Sequence, residues 1–248
     1  MKLSRPFETL YDTTLALVYP LACAACGAAH VERSADTPAC AACWRATRIY
    51  TGAETCCWKC GALAAADVPA AQRETVYCRR CASEAYTAAR AIGAYEGALR
   101  AAVLTLKRAP HVGARLAQLL VATQQRAPLA AATRIVPVPL HPERERERGF
   151  NQAALLAQAL ARRTHLPLDT RSLVRTTHTA QHRAGMDARA RRETVASAFE
   201  VARPRLVAGE SVLLLDDVFT TGATVAACAH ALKEAGAADV FVLTVARA

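Results

Sequence analysis

Residues 211–224 read Ser-Val-Leu-Leu-Leu-Asp-Asp-Val-Phe-Thr-Thr-Gly-Ala-Thr, and this stretch decides the fold. The apolar run 212–215 is short and lies between turn residues, which predicts a central parallel strand rather than a helix. Two carboxylates, Asp216 and Asp217, follow the run directly, and a short turn leads into a helix predicted over 223–234. Because ligands bind at the carboxyl ends of parallel strands, this junction predicts a binding site.

The polar groups of this junction are of two kinds. Asp216 and Asp217 can accept hydrogen bonds from the two hydroxyls of a ribose. The turn offers hydroxyls, a glycine that permits close approach of the backbone, and helix amides that favour an anion. Its candidate residues are Thr220, Thr221, Gly222, Ala223 and Thr224. Together they predict a site for a ribose 5-phosphate; the alternative is an ordinary turn with two solvated carboxylates.

Nine of the ten cysteines lie between residues 23 and 81. Eight of them form Cys-x-x-Cys pairs, a spacing that lets both thiolates of a pair bind one zinc ion. The pairs are Cys23 with Cys26, Cys40 with Cys43, Cys57 with Cys60, and Cys78 with Cys81. Pairing in chain order predicts two structural zinc sites in a double zinc ribbon, and interleaved pairing is the alternative. Cys56 is left over.

Disulfides would require an oxidising compartment, and the sequence gives little support for export. Residues 1–25 carry Lys2 and Arg5 ahead of a mildly apolar run, but Glu8 and Asp12 interrupt it. A cleaved signal peptide is the less favoured alternative. No stretch approaches the roughly 20 apolar residues of a membrane span. We therefore expect a cytoplasmic protein without membrane insertion.

The formal net charge of +10 comes from 27 arginines and four lysines against 21 acidic residues. Over half of the excess is local, because residues 141–205 hold 13 arginines and seven acids. This segment lies next to the proposed phosphate site along the chain. A basic surface for a polyphosphate ligand explains that placement as well as DNA binding does.

The chain divides into a cysteine-rich domain over 1–88 and a second domain over 89–248. In the second domain, helical periodicity covers 94–126 with a break at Pro110, and an amphipathic helix is predicted over 150–163. Strands are predicted over 135–138, 173–176, 199–201 and 240–245, the last closing the sheet. Strands that alternate with helices predict an α/β fold, a parallel sheet flanked by helices.

The strand over 135–138 runs into a segment with three prolines and several arginines. A proline-fixed loop can direct backbone amides at a pyrophosphate, and an arginine can bind its oxygens. The candidate residues are Pro139, Leu140, His141, Arg144 and Arg148. The alternative is that the Glu-Arg run 143–148 is a solvated, self-paired loop. Asn151 is expected to cap the helix that follows.

Residues 175–192, called the hood here, lie between two short predicted strands and are rich in polar and cationic groups. Substitution at an anomeric carbon must be kept from water, so a cationic loop that closes over the leaving group is physically reasonable. The candidate residues are Arg175, Gln181 and Arg191.

Taken together, these motifs resemble the ComF family over nearly the whole chain, and residues 215–224 resemble the phosphoribosyl pyrophosphate (PRPP) motif of type I phosphoribosyltransferases. They are the four cysteine pairs, Leu106-Lys107, Pro137-Val-Pro-Leu-His-Pro, Arg148-Gly-Phe-Asn-Gln152, Gln181, Arg191 and Leu215-Asp-Asp-Val-Phe-Thr-Thr-Gly-Ala-Thr224. The resemblance implies a double zinc ribbon joined to a type I phosphoribosyltransferase domain, and a link with natural competence. Arg192-Glu193-Thr194 departs from the Arg-x-Asn that is usual after the hood.

The resemblance implies PRPP with Mg²⁺ as ligands but does not name the phosphoribosyl acceptor. We expect an enzyme whose catalytic residues Asp216 and Asp217 hold the ribose, whose turn holds the 5-phosphate, and whose proline loop holds pyrophosphate and Mg²⁺. Thr220 stands where purine-salvage relatives have an aspartate, which disfavours that class. The alternative is a non-catalytic accessory protein that binds PRPP or single-stranded DNA and recruits a helicase-like partner through its zinc ribbons.

Overall fold

The computed structural model describes residues 22–28, 38–176 and 198–248. Its strands are β1 (Ala88–Ala94), β2 (Arg134–Pro137), β3 (Leu173–Arg175), β4 (Phe199–Val201), β5 (Ser211–Phe219) and β6 (Asp239–Arg247). Its α-helices are α1 (Ala41–Ala46), α2 (Gly97–Leu106), α3 (Ala114–Gln124), α4 (Pro142–Arg148), α5 (Gln152–Thr164) and α6 (Ala223–Glu234). None of the helices in these ranges is long and apolar enough to cross a bilayer.

Four strands form one parallel sheet in the order β1-β6-β5-β2. The predicted parallel sheet is therefore confirmed, and the carboxyl ends of all its strands lie at one edge. Two details differ from the prediction: β1 was not predicted, and β6 lies between β1 and β5 instead of closing the sheet. The short strands β3 and β4 form a separate antiparallel pair.

The sheet is buried on both faces because helices cover each of them, and alternate residues of a strand point to opposite faces. Leu213 and Leu215 pack with α2, α3 and α5 on one face. Val212 and Leu214 pack with α6 on the other face. All four side chains are fully buried, and burying one leucine stabilises the fold by roughly 2 kcal/mol. The result is a three-layer arrangement of helix, sheet and helix.

Local sequence explains where the helices on these faces begin and end. The predicted break at Pro110 is confirmed, since α2 ends at Leu106 and α3 begins at Ala114. The predicted cap is also confirmed: the Asn151 side chain accepts hydrogen bonds from the amides of Ala153 and Ala154, and α5 follows.

The prediction of a loop over 137–148 is wrong for its second half, because α4 occupies Pro142–Arg148. His141 caps this helix, Pro142 stands in its first turn, and Gly149 ends it in the left-handed conformation with φ 80°. Glutamates lie in the first turn and arginines in the last, as the helix dipole favours. The Glu-Arg run that suggested a self-paired loop is thus a well-terminated short helix.

The cysteine-rich part packs against the sheet on both faces. Trp44 of α1 is 1% exposed and belongs to the same core as Leu213. Between Cys57 and Cys60, the Trp58 carbonyl accepts a hydrogen bond of 2.7 Å from Arg90 of β1. The Arg90 guanidinium also lies 4.9 Å from the centre of the Trp58 ring. The division of the chain at residue 88 stays a prediction, and the two parts share their cores.

Candidate functional site

The two carboxylates lie inside β5, not beyond its end, because the strand continues to Phe219. Neighbouring residues of a strand point to opposite faces, so Asp216 and Asp217 have different surroundings. Asp217 faces α2 and α5, while Asp216 interacts electrostatically with Cys228 of α6. The predicted pair is therefore present as two distinct sites at the carboxyl end of one strand.

Asp217 is held by two helices at once. The Lys107 ammonium, directly after α2, lies 3.3 Å from Asp217 Oδ2, and Gln152 Nε2 of α5 donates to the same oxygen at 3.4 Å. Arg148 Nη1 then donates to Gln152 Oε1 at 2.5 Å. The carboxylate is only 11% exposed, while the lysine side chain is 38% exposed. A nearly buried carboxylate is thus paired with a cation that is open to solvent.

Asp216 is half-buried, and its Oδ1 accepts a hydrogen bond from the Asp217 amide at 2.8 Å. Burial raises the pKa of Asp216 to about 7, and the negative charge of Asp217 adds to the shift. Lys107 opposes it by favouring the ionised form. Near neutral pH this carboxyl can therefore exchange between an acceptor-only form and a form that also donates.

The turn after β5 is exposed and opens α6 through a glycine. Gly222 is the N-cap with φ 83°, a conformation that favours glycine, and no side chain caps the helix among the described residues. Thr220, Thr221 and Thr224 are exposed, whereas Gly222 and Ala223 are half-buried. Helix amides and three hydroxyls are thus presented at one exposed point, an arrangement that favours an anion.

The loop after β2 lies beside β5. Its first amide, that of Val138, donates to the Leu215 carbonyl at 2.9 Å, which joins it to β5 just before the carboxylates. Pro139, Leu140 and His141 are half-buried in this loop. On α4, Arg144 is exposed, and Arg148 is directed to Gln152. Of the two predicted arginines, the structure therefore connects Arg148 to the acid pair.

The hood is only partly described. Arg175 is the last residue of β3, and its guanidinium lies 5.4 Å from the centre of the Phe199 ring in β4. Gln181 and Arg191 lie outside the described residues. Arg175 is thus part of the antiparallel strand pair that starts the hood.

Eight cysteines form two groups in chain order, which confirms the predicted pairing over the interleaved alternative. The groups are Cys23, Cys26, Cys40 and Cys43, and Cys57, Cys60, Cys78 and Cys81. Within each group, the four sulfurs lie within 4.8 Å of one another. Cys56 belongs to neither group, and all ten cysteines, each within the described ranges, are free of disulfides.

The geometry of both groups fits zinc. Sulfurs at the corners of a tetrahedron with Zn–S bonds of about 2.3 Å lie about 3.8 Å apart. The observed separations are 3.8 Å for Cys23–Cys43 and 3.6 Å for Cys60–Cys78. Backbone amides also point at the sulfurs: the Cys40 amide lies 3.3 Å from Cys23 Sγ. The residues of both groups can therefore hold Zn²⁺.

The thiol pKa values show why a cation is needed. Burial raises the pKa of Cys57, but the amides of Cys60 and Cys78 more than offset it, so that the pKa falls to about 6. In the same group, burial and hydrogen bonds with other thiols raise the pKa of Cys81 far above its usual value. Four adjacent thiols cannot all ionise alone, and a bound Zn²⁺ removes that repulsion.

Two residues of the Asp217 network, Lys107 and Gln152, were not among the predicted site residues. Both stand in stretches that carry the family resemblance, and this was the only signal for them in the sequence. Their role depends on which helices meet at the carboxyl end of β5, and helix packing is not visible in local sequence.

Comparison with known proteins agrees with the two parts of the chain. Residues 14–85 match the family model of the double zinc ribbon domain, a range that contains both cysteine groups. The DNA utilization protein YhgH of Escherichia coli K12 is 35% identical over 217 residues, which cover 84% of this chain and 89% of that protein. Its counterpart from Escherichia coli O157:H7 is 38% identical over 149 residues, 58% of this chain and 64% of that protein.

Competence protein ComFC of Bacillus subtilis is 40% identical over 114 residues, so the alignment covers 46% of this chain and 44% of that protein. Among solved structures, the glutamine PRPP amidotransferase of B. subtilis gives a TM-score of 0.36 at 20% identity, over 60% of this chain and 26% of the enzyme. A likeness at that level carries no argument about function. The match to YhgH of Escherichia coli K12 covers most of both chains, and the chain belongs to the ComF family, which includes the proteins named YhgH and ComFC.

Proposed function

We propose that the protein binds PRPP with Mg²⁺ at the carboxyl end of β5 and transfers its phosphoribosyl group to an acceptor. The observation that carries the proposal is the turn 220–224, where a glycine N-cap, exposed hydroxyls and helix amides come after a pair of carboxylates and two intervening residues. A ribose 5-phosphate requires hydroxyl acceptors and an anion site at such a spacing. The relatives named for DNA utilization and competence extend the proposal to a role in DNA uptake in the cytoplasm.

In this proposal each element has one task. The turn binds the 5-phosphate. Asp217 and Asp216 accept hydrogen bonds from the ribose hydroxyls. The loop over 138–141 directs backbone amides at the pyrophosphate. Arg144 and Arg148 add positive charge there, with Arg175, Gln181 and Arg191 contributed by the hood. Mg²⁺ prefers carboxylate and phosphate oxygens, and PRPP and the two aspartates would supply them.

The reaction breaks the bond between the anomeric carbon and a pyrophosphate oxygen, and pyrophosphate leaves with the electron pair. The acceptor forms a new bond to the anomeric carbon and gives up a proton. Positive charge develops on the ribose as the bond breaks, so the Asp217 carboxylate stabilises the transition state when it lies near the ring. Lys107 and Gln152 keep that carboxylate in one orientation.

Calorimetric titration with PRPP in the presence and absence of Mg²⁺ tests the ligand. We expect Mg²⁺-dependent binding that Asp217→Asn weakens by roughly tenfold or more, about 1.4 kcal/mol. Asp239→Asn is the matched control, because Asp239 begins β6 at the opposite edge of the same sheet. Absence of PRPP binding to the unaltered protein, or equal affinity in the Asp217 variant, would contradict the proposal.

Catalysis requires a second measurement, since the acceptor is not identified. Pyrophosphate release should be followed with a panel of bases, amines and single-stranded DNA. Release with one acceptor class supports transfer. Binding without release across the panel supports the accessory alternative, in which salt-sensitive binding of single-stranded DNA and recruitment of a helicase-like partner are the expected activities.

A further inference from the structure

The second cysteine group (Cys57, Cys60, Cys78 and Cys81) lies next to the turn 220–224, called the phosphate turn below. A cleft of about 300 Å³ separates them at the carboxyl ends of β5 and β6. Its lining includes all four cysteines of that group on one side and Phe219, Thr220 and Thr221 on the other. Arg247, the last residue of β6, lines the cleft as well. The two features are therefore neighbours in space, although more than 130 residues separate them in the chain.

Arg247 contacts both sides of the cleft. Its Nη1 donates to the carbonyl oxygen of Cys60 at 2.6 Å. Its guanidinium carbon lies 4.4 Å from the centre of the Phe219 ring, within the range of a cation–π interaction. Zn²⁺ bound by four thiolates would leave a net negative charge on the group, which would favour a guanidinium in this position. The Arg247 side chain thus links Cys60 of the second cysteine group to Phe219, the last residue before the turn.

Phe219 also packs against Gly222. A Cβ atom added to Gly222 would lie 2.6 Å from Cζ of Phe219, so the ring packs directly against the glycine. Tyr86, which follows the second cysteine group, meets the Phe219 ring edge-on at 6.3 Å between centroids. The position of the ring therefore fixes the backbone from which the first amides of α6 are presented.

We propose that Arg247 is a positioning residue through which zinc at the second cysteine group holds the phosphate turn in its binding conformation. Zinc fixes the knuckle that carries the Cys60 carbonyl, this carbonyl orients Arg247, and Arg247 holds the Phe219 ring against Gly222. The ligand-binding part of this inference rests on the proposed function. The link between the metal group and the turn rests on the contacts alone.

Arg247→Ala tests the link, with Arg115→Ala as the matched control. Arg115 lies 5.1 Å from the centre of the Trp44 ring beside the first cysteine group, so it makes a similar contact away from the turn. Both variants should retain two zinc ions by elemental analysis. In Arg247→Ala, the amides of 219–224 should exchange with solvent about fivefold faster, and PRPP should bind roughly tenfold more weakly. Arg115→Ala should change neither quantity.

A zinc dependence separates positioning from general stabilisation. Cys78→Ser impairs the second group and should reproduce both effects in the parent protein, whereas in the Arg247→Ala background it should add little. Unchanged exchange at 219–224 in Arg247→Ala, or fully additive effects of the two substitutions, would overturn the inference. If the parent protein does not bind PRPP, the proposed function fails, and the exchange measurements still decide whether zinc and the turn are linked.

Discussion

Asp217 carries the most constrained charge of the site. Lys107 and Gln152 both contact its Oδ2 atom. Arg148 donates to Gln152, so Arg148, Gln152 and Asp217 form a connected series. A partly buried acid of this kind depends on its partners, because the loss of one leaves a charge without compensation. The series also joins the arginine proposed for pyrophosphate to the aspartate proposed for ribose, so the two parts of the ligand would be bound by one network.

Asp216 has the opposite character, and its ionisation should be visible in the stability of the protein. Its pKa is raised to about 7 in the folded state, mainly by burial, against about 3.9 in an unfolded chain. Between these values the folded state binds more protons, so the contribution of Asp216 to stability is lost as pH rises toward 7. Asp217 and Lys107 are the charged groups that influence it, and Cys228 of α6 interacts with it electrostatically.

We therefore expect Asp216→Asn to become more stable relative to the parent protein as pH rises from 5 to 8. Thermal unfolding should show this, with a difference in Tm of roughly 2–4 °C for each kcal/mol relieved. Asp169→Asn is a control of opposite sign. Burial raises the pKa of Asp169, but hydrogen bonds from Ser172 and the Arg171 amide lower it by more, so its pKa lies below the usual value. Asp169→Asn should therefore lose most stability at neutral pH, where the parent carboxylate is ionised. Parallel pH profiles for parent and Asp216→Asn would contradict the prediction.

At the scale of elements, the sequence was informative where a pattern is local. The apolar run of β5, the glycine turn and α6 were predicted correctly because strand, cap and helix signals lie within 24 residues. Spacing predicted the four cysteine pairs and favoured their grouping in chain order, and the structure decided against the interleaved alternative.

The missed elements depend on distant residues or on a competing interpretation. β1 reads Ala-Ala-Arg-Ala-Ile-Gly-Ala, a weak strand sequence that becomes a strand because β6 pairs with it over its length. For α4, capping signals were present, but the alternating charges suggested a loop. The Asp217 network could not be predicted, because it depends on how α2 and α5 pack at the end of β5.

The turn between β5 and α6 should tolerate no side chain at its glycine. Gly222→Ala adds a Cβ that would lie 2.6 Å from the Phe219 ring, at a φ of 83°. Gly209 has a similar φ of 77°, but nothing lies within 4 Å of an added Cβ. Gly209→Ala therefore measures the cost of the conformation alone, about 1 kcal/mol. Denaturant unfolding should show a larger loss for Gly222→Ala, and PRPP affinity should fall only in that variant; equal losses would contradict the steric argument.

At the scale of the whole molecule, the two cysteine groups support opposite faces of the sheet. Cys23 packs with Trp44 in the core that contains α2, α3 and α5. Cys57, Cys60 and Cys81 pack with Tyr86 in the core that contains α6. Each cysteine group is therefore continuous with one of the two helix layers that cover the sheet. Loss of zinc from either group should therefore loosen the helix layer that packs with that group, as well as the Cys-x-x-Cys turns themselves.

This arrangement predicts that the two zinc ions stabilise different layers. Cys40→Ser and Cys78→Ser should each retain one zinc ion, and each should lower Tm by roughly 10 °C or more, since a structural zinc contributes directly to folding.

In a Trp58→Phe background, only Cys40→Ser should shift the emission of Trp44 to longer wavelength, because Trp44 is buried beside the first group and 1% exposed. Hydrogen exchange should increase in α2 for Cys40→Ser and, beyond the turn, in residues 225–234 of α6 for Cys78→Ser. Cys56→Ser is the control, since Cys56 lies outside both groups. Increased exchange in the same layer for both variants would show that the metal groups do not act on separate faces.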